Sequence, residues 1–235
     1  GGENGIPKHR FEDAFCDSKG TVWFSSWGSG VVGFDGATWT SLDTSDGLAD
    51  NRVYNTEESA DGRLHFSTTS GLTFYQPTTV RPKVLIQSVR TDKGSVRLDA
   101  LPEIATGTRV SLQFNSIDFQ TNPEKRQYRT RIHGPGETGE WRHPVKSDAF
   151  EWLPPLSGSF LIEAQAISRD LQYSHPTQLA LTVIVPWFRN AWIIGPAACL
   201  FLGITGTAFG YGWRYYQNRR TSRNLERQTH RLKEK

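Results

Sequence analysis

The stretch "GRLHFSTTSGLTFY", Gly62–Tyr75, nearly repeats the earlier stretch "GTVWFSSWGSGVVGF", Gly20–Phe34. A shift of about 42 residues, a spacing typical of structural repeats, superimposes the two after one deletion. Each stretch alternates apolar and polar side chains around a Gly-rich turn, which predicts two strands joined as a hairpin. The matched positions are Gly20 and Gly62, Val22 and Leu64, Phe24 and Phe66, Ser25 and Ser67, and Gly30 and Gly71.

The repeat begins earlier, where "ENGIPKHRF" (3–11) matches "SDGLADNRV" (45–53). Short Gly-punctuated strands with this period are typical of β-propeller blades of four strands each. We therefore predict a partial β-propeller of about two blades over residues 1–80. Two blades cannot close a ring, and the sequence contains no Met. We therefore expect a fragment with further blades upstream of Gly1.

A second kind of strand follows from residue 81, after Pro77. In "TRVSLQFNSIDF" (108–119) every second residue of the central part is apolar. In "FLIEAQAIS" (160–168) one face carries the apolar set, which we predict to be the core face. Several short strands separated by turns predict an immunoglobulin- or fibronectin-like β-sandwich over residues 81–186. The predicted core residues of the second stretch are Phe160, Ile162, Ala164 and Ala166.

A long apolar run, "NAWIIGPAACLFLGITGTAFGYGW" (190–213), contains no charged side chain and is long enough to cross a bilayer as a helix. We predict one transmembrane helix over residues 187–213, with a buried core helix as the alternative. Aromatic residues near both ends favour the membrane interface. They are Trp187, Trp192, Trp213, Tyr215 and Tyr216.

Charge is distributed unevenly along the chain. The net charge is +3, yet residues 214–235 alone carry eight Lys or Arg and two Asp or Glu. The basic character therefore belongs to this tail, and we expect no nucleic-acid binding by the rest. The positive-inside bias places the tail in the cytoplasm and residues 1–189 in the periplasm, with the helix in the inner (plasma) membrane.

Two patterns in the C-terminal region predict contacts between copies of the chain. Gly206 and Gly210 form a GxxxG pair, which allows two membrane helices to approach closely. Leu225 and Leu232 are one heptad apart in a helix-forming basic segment, which predicts the start of a signalling coiled coil. A basic helix held on anionic lipid headgroups is the alternative for this segment. Together the patterns favour a homodimer.

The repeats resemble those of the two-component regulator propeller in the phrases "DGLADNRV" and "DGRLHFSTTSGL". His65 departs from that pattern, which usually has Trp there. The segment 81–192 resembles the three-tyrosine (Y_Y_Y) domain in "NSIDFQTNPEKRQYRTRIHGPGETGEW", "FEWLPPLSGSFLIEAQA" and "VIVPWFRNAW". Phe150 and Phe160 stand where that pattern commonly has tyrosine. The matching positions are Tyr128, Gly134, Trp141, Gly158 and Trp187.

This resemblance implies the ligand-sensing half of a single-span signalling receptor. Its members are joined most often to a histidine kinase, and others to a diguanylate cyclase. The output domain would lie beyond Lys235, and a response regulator would be the downstream partner of a kinase. The ligand is expected to be an unidentified small molecule, for example an oligosaccharide.

Exposed aromatic rings are the candidate ligand contacts, because sugars stack on such rings. Trp23 occupies a strand position of the repeat and is assigned to the blade core. Trp27 lies in the hairpin turn, and it and Trp39 are the predicted ligand-binding residues. Their number and pattern do not identify the ligand.

No catalytic constellation is recognisable in the sequence, and we expect no enzymatic activity, cofactor or metal in this stretch. The six histidines lack metal-ligand spacing. "DTSDGLAD" (43–50) has spaced acidic residues but lacks the later Glu of an EF-hand loop, so we interpret it as a turn in which Leu48 fills the blade. Cys16 and Cys199 are predicted to be buried thiols.

Three classes of protein are compatible with these features. The first is a receptor without catalytic residues in this stretch, which the order of segments favours. The second is a membrane-anchored propeller lyase or hydrolase, which needs a His or carboxylate cluster that these repeats lack. The third is an anchored adhesion or scaffold protein without an output domain, whose basic tail only stops transfer through the membrane.

Overall fold

The computed structural model describes residues 10–98, 101–186 and 191–233, with the helical side chains described over 192–217. Strands followed by one apolar helix make up this part of the chain, which confirms the predicted fold class. The chain divides into two compact units, of which one reaches Ile184 and the other begins at Val185.

Some predicted features lie outside the described residues. They are the first residues of the repeat (3–9), Trp187, and the side chains of Leu225 and Leu232. These predictions stay as they were made.

The first repeat forms a four-stranded antiparallel meander, in which each strand pairs with the next along the chain. The second repeat forms a three-stranded meander, one strand fewer than predicted. The first sheet contains β1 (Phe11–Cys16), β2 (Val22–Ser26), β3 (Val31–Phe34) and β4 (Trp39–Leu42). The second contains β5 (Val53–Glu58), β6 (Leu64–Thr68) and β7 (Gly71–Tyr75).

The two sheets pack face to face and bury a common core. Trp23 of β2 meets Phe66 of β6 edge to face, with ring centroids 6.1 Å apart. Leu48, from the predicted turn, is buried in the same core, as expected. The alternation that predicted the strands therefore also selects the face that each strand buries. The remaining buried residues of this core are Val31, Leu42, Val53, Leu64 and Tyr75.

A glycine is required at the first hairpin because the backbone of β4 passes very close. Gly30 has φ +74°, and a Cβ atom there would lie 1.9 Å from the carbonyl oxygen of Leu42. No side chain fits that gap without moving the strand. Gly30 is thus a packing requirement as well as a turn signal, whereas its counterpart Gly71, at φ +133°, has open space and serves the turn alone.

The sandwich consists of two four-stranded sheets. One has the strand order β13-β11-β8-β9, and the other has the order β10-β15-β14-β12, with β10 parallel to β15. The first sheet contains β8 (Lys83–Thr91), β9 (Gly94–Val96), β11 (Val110–Ile117) and β13 (Ala149–Trp152). The second contains β10 (Ile104–Ala105), β12 (Gln127–His133), β14 (Gly158–Ile167) and β15 (Thr177–Ile184).

The inner faces of both sheets form one apolar core. Phe160 lies in it against Trp152, with ring centroids 4.9 Å apart. Gly134 must be small, because a Cβ atom there would lie 2.2 Å from the Phe160 ring. The predicted core residues are all buried, and they are Phe160, Ile162, Ala164 and Ala166.

The second unit contains one helix, α1 (Ala191–Lys233). Its segment Trp192–Gln217 has a mean hydropathy of 1.7, which makes it long and apolar enough to cross a membrane. The predicted boundary at residue 213 falls within this continuous helix. Gly206 and Gly210 have open space where a Cβ atom would lie.

The prediction that both cysteines are buried is wrong. Cys16 is exposed because β1 turns its side chain away from the core shared with the second sheet. Cys199 is exposed on α1, where no described residue covers it.

Candidate functional site

Trp27 lies directly after β2, between the two blade sheets. Its backbone N–H donates a hydrogen bond of 3.0 Å to the carbonyl oxygen of Arg10. It also forms an isolated antiparallel bridge with Arg52, just before β5. The indole ring is 42% exposed, which leaves it accessible as predicted for a ligand contact. No measurement of binding bears on it, and the assignment stays a prediction.

Two residues that sequence reasoning missed complete this surface. The Arg52 guanidinium carbon lies 3.1 Å from the centroid of the Trp27 ring, a cation–π stack. Tyr54 meets Trp27 edge to face at 6.1 Å and is itself 44% exposed. A signal for Arg52 was present, since it occupies the same repeat position as Arg10. We call Trp27, Arg52 and Tyr54 the arginine–aromatic surface.

Trp39, the other predicted ligand contact, is half-buried in a different aromatic cluster. Its ring stacks on Phe34 at 4.4 Å and lies 6.0 Å from Phe24. Phe11 extends this cluster at 5.5 Å from Phe24. Among the described residues no ring contact joins Trp27 to Trp39. The two predicted ligand contacts therefore do not share one surface.

The acidic turn after β4 binds a lysine of the sandwich. Asp43 caps a short 3₁₀-helix (Thr44–Asp46), which confirms the predicted turn. The ammonium of Lys125 lies 2.5 Å from a carboxylate oxygen of Asp43 and also contacts Asp46. Arg169 adds a contact of 3.5 Å to Asp46. The cation at this turn is thus supplied by the protein itself.

The same junction contains two tyrosine–carboxylate hydrogen bonds, one buried and one partly buried. The Tyr75 hydroxyl donates to Asp170, and the Tyr173 hydroxyl donates to Asp35 at 2.6 Å. Burial raises the pKa of Asp170, and burial with the Asp35 hydrogen bond raises the pKa of Tyr173 to about 12. The Tyr75–Asp170 bond joins the second blade sheet to the sandwich, and the Tyr173–Asp35 bond joins the first blade sheet to it.

A cavity of about 520 Å³ opens beside this junction. Asp46 lines it from the blade side, and Arg126 and Arg169 line it from the sandwich. Phe119 at its edge is 97% exposed. The cavity is polar and open, and its two carboxylates offset the two guanidiniums that line it.

A polar network covers the outer face of β12 and β14. Glu163 lies on this outer face, in agreement with the alternation of β14, and its carboxylate is buried there by neighbouring side chains. It accepts hydrogen bonds from Arg131, from Gln178 at 2.7 Å and from His133 at 3.3 Å. Burial opposes ionisation of Glu163, but these bonds outweigh it and hold its pKa below the ordinary value.

The described residues contain no group of three or more His, Cys, Asp or Glu placed to hold a metal ion. The predicted dimer contacts Gly206 and Gly210 lie on the described helix, but no second chain is present to test them. The predicted coiled-coil residues lie beyond the described side chains.

Comparisons with known proteins give structural neighbours only. No protein-family model matches this sequence, and no curated protein matches it either. The extracellular domain of BT3049 from B. thetaiotaomicron, designated a hybrid two-component system, superimposes with a TM-score of 0.50 at 16% identity. The match covers 78% of this chain and 27% of that domain. At this identity the likeness shows a shared fold.

Two further neighbours are more distant. The extracellular domain of BT4673 from B. thetaiotaomicron, designated a one-component system, matches with a TM-score of 0.37 at 15% identity, over 78% of this chain and 26% of that one. Fibronectin(III)-like modules of Clostridium thermocellum CbhA match with a TM-score of 0.36 at 13% identity. This match covers 77% of this chain and 92% of that one. This chain spans about a quarter of the length of the two Bacteroides domains.

Proposed function

We propose that this chain is the extracytoplasmic sensing region and membrane helix of a single-span signalling receptor. The blades bind a ligand outside the cytoplasm, and the basic tail beyond the membrane passes the signal to an output domain. A histidine kinase is the first candidate for that domain and a diguanylate cyclase the second. The chain itself contributes recognition and transmission and performs no chemistry.

The observation that carries this proposal is the order of the segments. Two repeat sheets are fixed to a sandwich, and the sandwich is followed after a short connection, residues 185–190, by an apolar helix. That helix runs without interruption from the membrane-spanning segment into the basic tail. A continuous helix can transmit a rotation or displacement across a membrane, whereas a simple anchor has no need of one.

The face of the first blade sheet supports the expectation of further blades. Phe24 corresponds to Phe66 in the repeat, and Phe66 is fully buried against the preceding sheet. Phe24 and its neighbours Phe34 and Trp39 are only half-buried on the equivalent face. By the symmetry of the repeat, this aromatic face fits a preceding blade.

The blade–sandwich junction supplies the link between ligand binding and the membrane helix. Its ion pairs join the turn after β4 to the sandwich, and its two tyrosine–carboxylate hydrogen bonds join the end of β7 and the turn after β3 to one loop of the sandwich. A ligand shifts a receptor only through its different affinity for two states. A rigid junction lets a change at the blades reach the sandwich without being absorbed by a hinge.

The test is the association of the full chain in membranes. Single cysteines introduced along the tail (218–232) of a variant lacking the native cysteines report dimers by disulfide cross-linking. We expect cross-links with heptad spacing and a shift of their pattern when a glycan binds. A tail that remains monomeric with and without every glycan tested contradicts the proposal and favours an anchored adhesion protein.

A further inference from the structure

The arginine–aromatic surface has the composition of a sugar-binding platform. Its two rings, Trp27 and Tyr54, are the only members with large exposed areas, and they meet at 81°. Apolar faces of pyranose rings stack on exposed aromatic rings of this kind. Trp27 directly follows β2 and is bridged to Arg52, and Tyr54 lies on β5, so the backbone of the two sheets holds both rings in position.

Three arginines of the described residues, Arg52, Arg126 and Arg169, have a buried Nε atom without a hydrogen-bond partner there. The other guanidinium nitrogens of Arg126 and Arg169 contact the Asp118 carbonyl oxygen and the Asp46 carboxylate. Arg52 differs because its guanidinium makes no hydrogen bond or ion pair with the described residues. The nearby carboxylate of Asp50 is already used, since it accepts bonds from the Arg52 backbone N–H at 2.9 Å and from Ser70 at 2.8 Å. By contrast, Arg63 pairs with Asp61 at 2.9 Å.

A guanidinium without an acceptor among the described residues, next to exposed rings, points to a specific ligand class. Arg52 is partly exposed, so an oxyanion can approach the side chain from solvent. A guanidinium binds carboxylates and sulfates through two parallel hydrogen bonds. The contact with the Trp27 ring holds the guanidinium in place beside the exposed rings.

We propose that the arginine–aromatic surface binds an acidic oligosaccharide, with Arg52 on a carboxylate or sulfate and the rings of Trp27 and Tyr54, which meet at 81°, in contact with different faces of the adjoining sugars. This inference rests on the proposed sensing function and names the ligand class. Uronates and sulfated sugars present the same chemistry, an oxyanion on a pyranose ring, and the test separates the two.

The experiment measures binding of defined oligosaccharides to the full chain in nanodiscs by calorimetry. The probes are an oligogalacturonate, its fully methyl-esterified form, a sulfated uronate-free galactan oligosaccharide, a neutral cello-oligosaccharide and sodium sulfate. We expect at least one acidic probe to bind about tenfold or more tightly than its neutral counterpart, as a charge-assisted contact requires. Its affinity should fall as the NaCl concentration rises.

The variants localise the effect. Arg52→Gln should weaken binding of the acidic probe about tenfold or more. Arg52→Lys keeps the charge but not the planar guanidinium, so its affinity should lie between those of the unaltered chain and the Gln variant. Arg63→Gln, an exposed arginine of the same blade, should leave binding unchanged. The comparison of acid with methyl ester uses the unaltered chain, so it stands even if a variant unfolds.

The outcomes separate this inference from the proposed function. Absence of binding by every acidic probe, or equal binding of acid and ester, overturns the ligand class. A neutral glycan that binds and shifts the tail cross-links, with Arg52→Gln unaffected, also overturns it while preserving the sensing function. An acidic probe that binds through Arg52 but leaves the cross-links unchanged supports the ligand class and contradicts the sensing function.

Discussion

The ammonium of Lys125 lies 2.5 Å from the carboxylate of Asp43, and this contact joins the sandwich to the first blade repeat. Lys125 is 14% exposed, and Asp46, its second partner, is 2% exposed. Hydrogen bonds from Lys125 and Ser45 outweigh the effect of burial and hold the pKa of Asp43 below its ordinary value. The blades and the sandwich are therefore connected by charges withdrawn from water.

Removing the lysine should destabilise the chain strongly. Lys125→Met leaves two carboxylates without their main cation, and we expect a loss of about 3 kcal/mol in the free energy of unfolding. Urea unfolding of the full chain in detergent, followed by tryptophan fluorescence, measures this loss. Lys93→Met, at an exposed turn, is the control and should change stability by less than about 0.5 kcal/mol. Equal effects of the two substitutions would contradict a junction held by charge.

Tyr75→Phe tests the second contact of the junction. The substitution deletes the hydroxyl that donates to buried Asp170 and keeps the ring in the blade core. We expect about 1–3 kcal/mol of destabilisation, because a buried carboxylate loses a hydrogen bond. Tyr54→Phe, at an exposed ring, provides the matched control for thermal unfolding. A Tyr75→Phe chain as stable as the unaltered one would show that this bond is not needed.

Glu163 should make the sandwich sensitive to acid. Its folded-state pKa lies below the ordinary value of 4.5, so its stabilising contribution is present above that pH and is lost as the pH falls through the folded pKa. Glu163→Gln should therefore be less stable than the unaltered chain at pH 7, by about 1–3 kcal/mol. The difference should shrink towards pH 3. Glu151→Gln, in an exposed pair with Arg109, is the control. A constant difference over this pH range would rule out this linkage.

Trp39→Ala distinguishes packing from ligand binding at the aromatic face. The ring stacks on Phe34, so its removal should lower the free energy of unfolding by about 2 kcal/mol. Trp27→Ala removes a more exposed ring and should cost less stability while weakening glycan binding. Thermal unfolding and calorimetry on the same two proteins check both effects. Loss of glycan binding in the Trp39 variant, with binding kept in the Trp27 variant, would place the ligand site on the aromatic face that contains Trp39.

The glycine pair of the membrane helix predicts a dimer contact. Gly206→Ile fills a face that allows close approach, and we expect weaker self-association in bilayers. Gly212→Ile adds the same side chain outside the GxxxG pair and should have little effect. Förster transfer between labelled chains in vesicles measures the association. If the two substitutions weaken self-association equally, Gly206 and Gly210 do not form the dimer contact.

Local features of the fold were readable from the sequence. The repeat predicted both hairpins and the burial of Leu48, because the apolar strand positions and the glycines of the turns recur at matching positions of the two repeats. The alternation in β14 predicted its core face for the same reason. The same alternation puts Glu163 on the outer face, where it lies, but its burial could not be predicted, because that depends on side chains of β12 and β15 that cover this face.

The junction and the arginine–aromatic surface were much harder to predict. Lys125 lies 82 residues from Asp43 along the chain, and no period links them. Arg52 carried only the weak signal of recurring in the repeat. Its lack of a partner is a property of the folded structure, because it depends on where every neighbouring acceptor points.

The central claim is that the blades and the sandwich lie outside the cytoplasm and the tail lies within it. The most direct test labels cysteines in intact cells, with the outer envelope permeabilised, using a membrane-impermeant maleimide. One protein carries its single cysteine as Lys93→Cys, at an exposed turn of the sandwich, and a second carries it as Lys235→Cys, with Cys16 and Cys199 replaced by Ser in both. The account predicts that the cysteine at 93 reacts in intact cells and that the cysteine at 235 reacts only after lysis. Labelling of the tail position in intact cells, or protection of position 93 until lysis, would contradict the account.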